Sequence, residues 1–538
     1  MDWRADRETL TRRYHEQGVY GRTTLADAMR EGAALHRDVR MVFHSDSHPA
    51  EASLQEMYRR GHALAGALHE MGLRSGDVVA IQVPNWLEGA IAFQAAMILG
   101  VVVVPVIHIY GPAEVGFILE QSAAKAFLCP ARWRHIDYFE RLDQLDRSRL
   151  PNLEHVITLG DARYEGALSW SELEARSTTD FELPGVDADD VCLLIYTSGT
   201  TALPKGVQHT HNTLLAETRA SRHTLDSSLQ PANLAAFPAG HIAGVLGITR
   251  LYVLGGRTVL MDSWDPVAAA RLIEEHALTS TSGAPFFLST LLDAAEKDGS
   301  DLSSMEGYMT GAAAVTPALV ERADGAGLPT YRCYGSSEHP TITSSQPSDP
   351  LEKRAFTDGS LLPHNEIRIV DDEGRDIAPG EAGEVASRGP ELFVGYSDER
   401  LNSTSFLPGG WFLTGDIGVV DADGFLTITD RKKDVIIRGG ENIASKEVED
   451  VLARHPSVRE VAVVAEPSER FGERVCAFVI VRDDAPFTLA DVQKHFVEVG
   501  VAKQKTPERV ETVDDFPRTA AGKIKKFELR DRLRTEAD

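Results

Sequence analysis

Apolar positions along this chain recur with two periods, and the two alternate. In 54–71 they fall three and four residues apart, at Leu54, Met57, Leu64, Leu68 and Met71, which predicts an amphipathic helix capped by Gly72. A short continuous apolar run at 78–83 reads as a buried strand. Pro84-Asn85 opens the next helix, that helix ends near Gly100, and 101–104 is again a strand. The stretch 90–107 is the most apolar of the chain. Gln94, Gly100 and Pro105 interrupt it, so it reads as a helix and a buried strand, not a membrane span. Further short strands are expected at 191–195, 235–237, 258–261 and 330–333. Helices alternating with such runs imply parallel sheets covered by helices. In these folds ligands bind in the loops after the carboxyl ends of the strands.

From about residue 356 the texture changes. Strands at 366–370 and 383–387 precede a hairpin, 417–420 and 425–429, joined by Asp421-Ala-Asp-Gly424. The charged segment Asp430-Arg-Lys-Lys-Asp434 follows and carries no apolar anchor. Helices at 445–454 and 489–499 and strands at 458–465 and 474–481 then predict a small α+β unit. The expected fold class is α/β, a large N-terminal domain of helix-flanked sheets with a β-rich subdomain (about 356–430) and a small C-terminal α+β domain. The expected division is 1–432 and 433–538.

Composition narrows the partners. Lys and Arg number 55 against 81 Asp and Glu, a net charge of −26, so no broad basic footprint exists for a nucleic acid. An anionic substrate must be met by local cations, which raises interest in every lysine or arginine inside a glycine-rich motif. Cys129, Cys192, Cys333 and Cys476 lie far apart without zinc-binding spacing, and predict buried thiols in a reducing, cytoplasmic setting. The first residues have no apolar core for a signal peptide.

The strongest chemical signal is Tyr196-Thr-Ser-Gly-Thr-Thr-Ala-Leu-Pro-Lys205-Gly206, which follows the strand at 191–195. Its hydroxyls, backbone N–H groups and lysine suit a polyanion. The order Pro204-Lys205-Gly206 separates it from a Walker A loop. A polar surface turn has the same composition, so the loop alone leaves both readings open. His209 and His211 form an H-x-H pair with no accompanying carboxylate or third histidine, a poor metal site.

Further motifs follow in order: Tyr334-Gly-Ser-Ser-Glu338, Gly410-Trp-Phe-Leu-Thr-Gly-Asp416, Asp430-Arg-Lys-Lys-Asp434, Gly439-Gly-Glu-Asn442 and Pro517-Arg-Thr-Ala-Ala-Gly-Lys523. Together with the 196–206 loop they resemble the adenylate-forming enzymes: acyl-CoA synthetases, firefly-type luciferases and nonribosomal adenylation domains. The resemblance spans nearly the whole chain and implies two half-reactions. A carboxylate attacks the α-phosphate of MgATP to give an acyl-adenylate, and a thiol, usually that of coenzyme A, then displaces AMP.

The resemblance also assigns roles. Thr197, Ser198, Gly199, Thr200, Thr201 and Lys205 would hold the β- and γ-phosphates, with Thr200 near Mg²⁺. Ala202 stands where the family usually has glycine, which restricts positive φ but removes no donor. Tyr334, Gly335 and Ser336 would border the adenine and acyl group, Ser337 the α-phosphate, and Glu338 would hold Mg²⁺. Asp416 would accept the ribose hydroxyls, Arg431 would contact ribose or phosphate, and Lys433 would be the hinge of a mobile C-terminal domain. Lys523 would stabilise charge at the α-phosphate, with Gly439, Gly440 and Glu441 replacing it for thioester formation. His241 and Gly244, with Gly311, Ala312 and Ala313, would line the acyl pocket.

The 237–241 stretch lacks an acid to pair with a substrate ammonium, which disfavours amino acids. Residues 100–119 look like those of bacterial ligases for cyclohexanecarboxylate or fatty acids. The expected function is an ATP-, Mg²⁺- and coenzyme A-dependent ligase for an apolar acid, monomeric or homodimeric. A ligase loading a carrier-protein phosphopantetheine and a silent AMP-binding protein are the alternatives.

Overall fold

The computed structural model describes residues 3–160, 162–197, 204–224, 232–468, 470–482 and 486–537. Among them the alternating pattern closes into two large sheets. The first runs Thr330–Tyr334, Gly307–Thr310, Ser280–Gly283, Ala232–Ala235, Arg257–Met261 and Arg40–His44 through its centre, all parallel. The second places Lys205–Thr210 and Val191–Thr197 beside Val102–Pro105 and Val78–Ile81, with Gly395–Tyr396 at one edge. One apolar core joins the second sheet to the helices Leu54–Glu70 and Leu87–Leu99.

The helix Leu87–Leu99 is buried on nearly every face, as a helix apolar almost all round must be in water. It ends at Gly100, whose φ of 71° is the left-handed conformation that glycine adopts without strain. No helix among the described residues is long and apolar enough to cross a membrane. The four cysteines are free, three of them buried.

Two expectations need correction. The helix expected from Pro84-Asn85 begins at Leu87 instead. Asn85 is used in tertiary bonds: its Nδ2 donates to Phe237 O (3.0 Å) and Met261 O (2.9 Å), and its Oδ1 accepts from Ala239 N (2.9 Å). The same grip draws Phe237 out of the strand, which stops at Ala235. The 430–434 segment, which has no apolar anchor, is held by polar groups. Asp430 is buried and accepts from Ser445 N (2.6 Å) and Oγ (3.0 Å), and Asp434 accepts from Arg530 Nη1 (2.7 Å). Its anchors are polar groups brought from the helices Ser445–Leu452 and Lys526–Ala537, which local patterning does not reveal.

The β-rich part pairs Glu366–Val370, Gly383–Arg388, Trp411–Val420 and Leu426–Arg431 antiparallel. The last sheet starts at Ile436–Arg438 and is completed by Glu441–Ile443, Gly472–Val481, Val458–Ser468 and Arg509–Thr512. Its core is separate from those of the large sheets.

Candidate active site

The carboxyl ends of the parallel strands open into loops, and the turn carrying Gly522 lies against Phe286 and Phe287, which follow the strand Ser280–Gly283. Thr330–Tyr334 runs into the loop carrying Gly335, Ser336, Ser337 and Glu338. A Cβ on Gly335 would lie 2.0 Å from Pro340 O, so only glycine lets this loop fold back on itself. Three bonds fix the loop: Ser336 N donates to His339 O (2.8 Å), Phe393 N to Glu338 O (2.7 Å), and His209 Nε2 to Ser337 O (2.7 Å). His339 beneath it bonds Ser387 and Asn365, and burial lowers its pKa to about 3, so it is neutral at pH 7.

Asp416 and Arg431 face each other in one strand pair, with Arg431 Nε 3.0 Å from Asp416 Oδ1. The Tyr334 phenol donates to Asp416 Oδ2 at 2.7 Å. Burial first, and then the negative charge of Asp416, keeps that phenol protonated. The nearly buried Asp416 is therefore held by two donors, and each oxygen keeps a second lone pair for a ligand hydroxyl.

Lys523 comes to this pair from the last domain. Its turn is closed by Thr519 N to Lys523 O (2.8 Å) and Lys525 N to Pro517 O (2.8 Å). Gly522 sits 3.4–3.5 Å from Phe286 and Phe287 as a Cβ would measure it. Arg518 stacks on the Phe286 ring at 4.3 Å and is clamped by Glu460 through bonds of 2.8 and 2.6 Å. The Lys523 ammonium has its pKa lowered to about 7, chiefly by the Arg431 charge and then by burial, with Asp416 opposing.

His241 caps the helix Ile242–Leu254 by accepting from Ala243 N at 3.2 Å. Its ring lies 5.2 Å from Phe237 at 14°, and burial, aided by the Lys523 charge, lowers its pKa to about 4. A Cβ on Gly244 would sit 2.1 Å from Pro238 O, so Gly244 serves the close packing of the 237–241 turn on this helix. Gly311 lies against Cys333, with Sγ 2.6 Å from the position of a Cβ. Ala312 adopts φ 63° and is exposed, and Ala313 is half-buried.

Lys205 opens its strand with Nζ 5.2 Å from the Tyr396 ring, in register with Thr197. Ser198, Gly199, Thr200, Thr201 and Ala202 lie outside the described residues. Gly439, Gly440 and Glu441 form an exposed hairpin turn and do not join this cluster, and Lys433 is exposed in the turn between the strands Leu426–Arg431 and Ile436–Arg438. His209 and His211 are both buried and engaged separately: His209 bonds Ser337 O and Thr213, and His211 Nδ1 accepts from Leu25 N (3.2 Å). Among the described residues no group of three or more candidate ligands could hold a metal ion. Sequence reasoning missed Tyr396, Arg518 and Phe286. Arg518 stands inside a quoted motif, whereas nothing in local spacing marks the other two.

Residues 30–397 match the family described as AMP-binding enzyme, and 447–523 its C-terminal domain. The chain belongs to this family of adenylate-forming ligases. It is 35% identical to the medium-chain fatty-acid–CoA ligase of Escherichia coli K12, over 96% of this chain and 92% of that one. It is 33% identical to the 2,3-dihydroxybenzoate-AMP ligase of Bacillus subtilis, over 98% and 96%. The anthranilate CoA ligase AuaEII, solved with anthranoyl-AMP, superposes with a TM-score of 0.88 at 25% identity, covering 96% of this chain and 98% of that one. The chain is thus an adenylate-forming enzyme of the acyl or aryl acid class, with the α/β fold and small C-terminal domain expected of it.

Proposed function

We propose that this enzyme activates an apolar carboxylic acid, fatty, branched or alicyclic, as its acyl-adenylate and transfers the acyl group to coenzyme A. The observation that carries the reading is the meeting of Lys523, Arg431 and Asp416 at the mouth of the parallel strands, beside Phe237 and His241. In the first half-reaction a carboxylate oxygen bonds to the α-phosphorus and the bond to pyrophosphate breaks. A cation at Lys523 offsets charge building on the phosphoryl oxygens and orients the attacking carboxylate. Asp416 binds the ribose hydroxyls, and Lys205 and Thr197 face the leaving pyrophosphate.

Glu338 fits a hard cation, since its Oε2 accepts nothing from the described residues while Oε1 is held. Mg²⁺ held there supplies positive charge to the phosphates. In the second half-reaction the coenzyme A sulfur bonds to the acyl carbon and AMP leaves with the electron pair. Division at 432/433, with Lys433 as hinge, lets the exposed Gly439–Glu441 turn take the place of the Lys523 turn. The 237–241 turn offers a neutral imidazole and an aromatic ring, and no acid, which suits an uncharged acyl group.

The test is pyrophosphate release with linear, branched, alicyclic, aromatic and sterol-derived acids, with coenzyme A present and absent. Release with apolar acids and coenzyme A-dependent AMP formation is expected. Release without thioester formation, but with acylation of a carrier phosphopantetheine, replaces coenzyme A by a carrier protein. AMP binding with no release for any acid overturns catalysis.

A further inference from the structure

Five residues of the edge strand region, 393–397, touch both the phosphate-facing lysine and the Glu338 loop. At one end Phe393 N donates to Glu338 O at 2.7 Å. At the other, Val394 N donates to Gln208 O (2.9 Å), Tyr396 pairs with Val207, and Ser397 N donates to Gly206 O (2.9 Å). The approach to Gly206 is close enough that a Cβ there would lie 2.4 Å from Ser397 Oγ. Asn402 locks the backbone of Tyr396 from the other side, accepting from its N (2.8 Å) and donating to its O (3.1 Å).

The Tyr396 side chain repeats this link. Its hydroxyl donates to Glu338 Oε1 at 2.7 Å, and its ring lies under Lys205 Nζ at 5.2 Å. The ring is itself buried and packed edge-on against Phe393 at 4.8 Å. An ammonium over an aromatic face is attracted to it without losing its charge.

We infer that Tyr396 is the positioning residue that holds the metal-binding carboxylate of Glu338 and the phosphate-facing Lys205 in one frame. The inference rests on the proposed role of Glu338. Its logic is preorganisation: one oxygen of Glu338 is tied down, so the other is presented in a fixed direction and the carboxylate has little freedom left to lose on binding a cation. Because the same ring seats Lys205, the positive charge and the metal ligand keep a constant separation when the polyphosphate enters between them.

The experiment compares Tyr396→Phe, which keeps the ring and deletes the hydroxyl, with Tyr396→Leu and Glu338→Gln in the full-length enzyme. Mg²⁺ activation of pyrophosphate release is measured beside Mn²⁺ binding, read by electron paramagnetic resonance with the non-reactive α,β-methylene-ATP. Tyr396→Phe is expected to raise the half-saturating Mg²⁺ and weaken Mn²⁺ binding about tenfold, which corresponds to ~1.4 kcal/mol. Its kcat at saturating Mg²⁺ and KM for the acid should change less than twofold, and its melting temperature by no more than a few degrees. Tyr396→Leu should also raise the KM for ATP at saturating Mg²⁺, since Lys205 loses its seat. If Glu338→Gln shifts metal binding and Tyr396→Phe does not, the inference fails and the role of Glu338 stands. If Glu338→Gln leaves metal binding unchanged, the reading of Glu338 fails and the inference falls with it. Equal losses in metal binding, acid KM and melting temperature for Tyr396→Phe would mean a structural role only, and overturn it.

Discussion

Lys523 should give adenylation a descending alkaline limb that begins near neutrality. Its pKa is about 7, lowered from 10.5 by the Arg431 charge and by burial. The difference corresponds to about 5 kcal/mol of disfavour for the cation in the free enzyme. The cation is the form that binds phosphate oxygens, so activity is present below the pKa and lost above it. At pH 7 about half the enzyme carries the charge, and at pH 8.5 roughly 3%. The kcat/KM for ATP in pyrophosphate release should therefore fall by close to tenfold per pH unit above about pH 7.5. Bound ATP adds negative charge beside the lysine and raises its pKa, so the limb of kcat should lie at higher pH than that of kcat/KM. Lys523→Arg keeps a cation at all these pH values and should flatten the limb. Arg431→Gln, which removes the largest perturbing charge, should move the limb upward in the normalised profile. Thioester formation from supplied acyl-adenylate should lack the limb. The same descending limb in Lys523→Arg, or in the thioester half-reaction, would refute the assignment.

Other expectations concern docking, hinge and core. Arg518→Ala removes the stacking on Phe286 that seats the Lys523 turn, and adenylation should drop about tenfold, in line with ~1 kcal/mol or more for a cation–aromatic contact. Thioester formation from supplied adenylate should be spared, and equal losses in both steps would contradict the docking role. Lys433→Pro should restrict rotation between the two sheet systems and preserve one half-reaction only, which separate adenylation and thioesterification assays would detect. Glu391 is fully buried, with its pKa raised well above the ordinary value by burial and then by the Glu217 charge. The folded state therefore keeps a proton that the unfolded chain releases above about pH 4.5, and this contribution to stability declines as pH rises towards the folded pKa, by up to about 1.4 kcal/mol per unit. Glu391→Gln, whose amide can donate to Glu217 and accept from Asn365, should melt higher than the parent at pH 8 and show a weaker pH dependence in thermal unfolding.

Much of the architecture was legible from hydrophobic period. The helix at 54–71 and the strands at 191–195 and 330–333 are set by side chains that must leave water together, and local spacing records that requirement. The ordered motifs were legible for a related reason. A phosphate-facing loop or a strand-end acid needs particular residue types within a few positions, and short stretches such as Tyr334–Glu338 carry them.

What the sequence by itself determined was therefore the class of fold and the family, and it singled out Asp416 and Lys523, the acid and the lysine proposed for the site. Tertiary structure alone decided which groups surround them. Asn85 opens no helix because it reaches Phe237 and Met261, and Asp430 is buried because Ser445 comes to it. Tyr396 meets Glu338 only because the edge strand Gly395–Tyr396 pairs with Lys205–Thr210. The charge of Lys523 is lowered by Arg431, 92 residues away in the chain, through a distance that only the docking of the last domain fixes. Hydrophobic burial is set by what each residue is and what its near neighbours are. Hydrogen bonds need their partners within about 3 Å and Coulomb forces weaken with distance, and which residues come close enough is written in the folded packing.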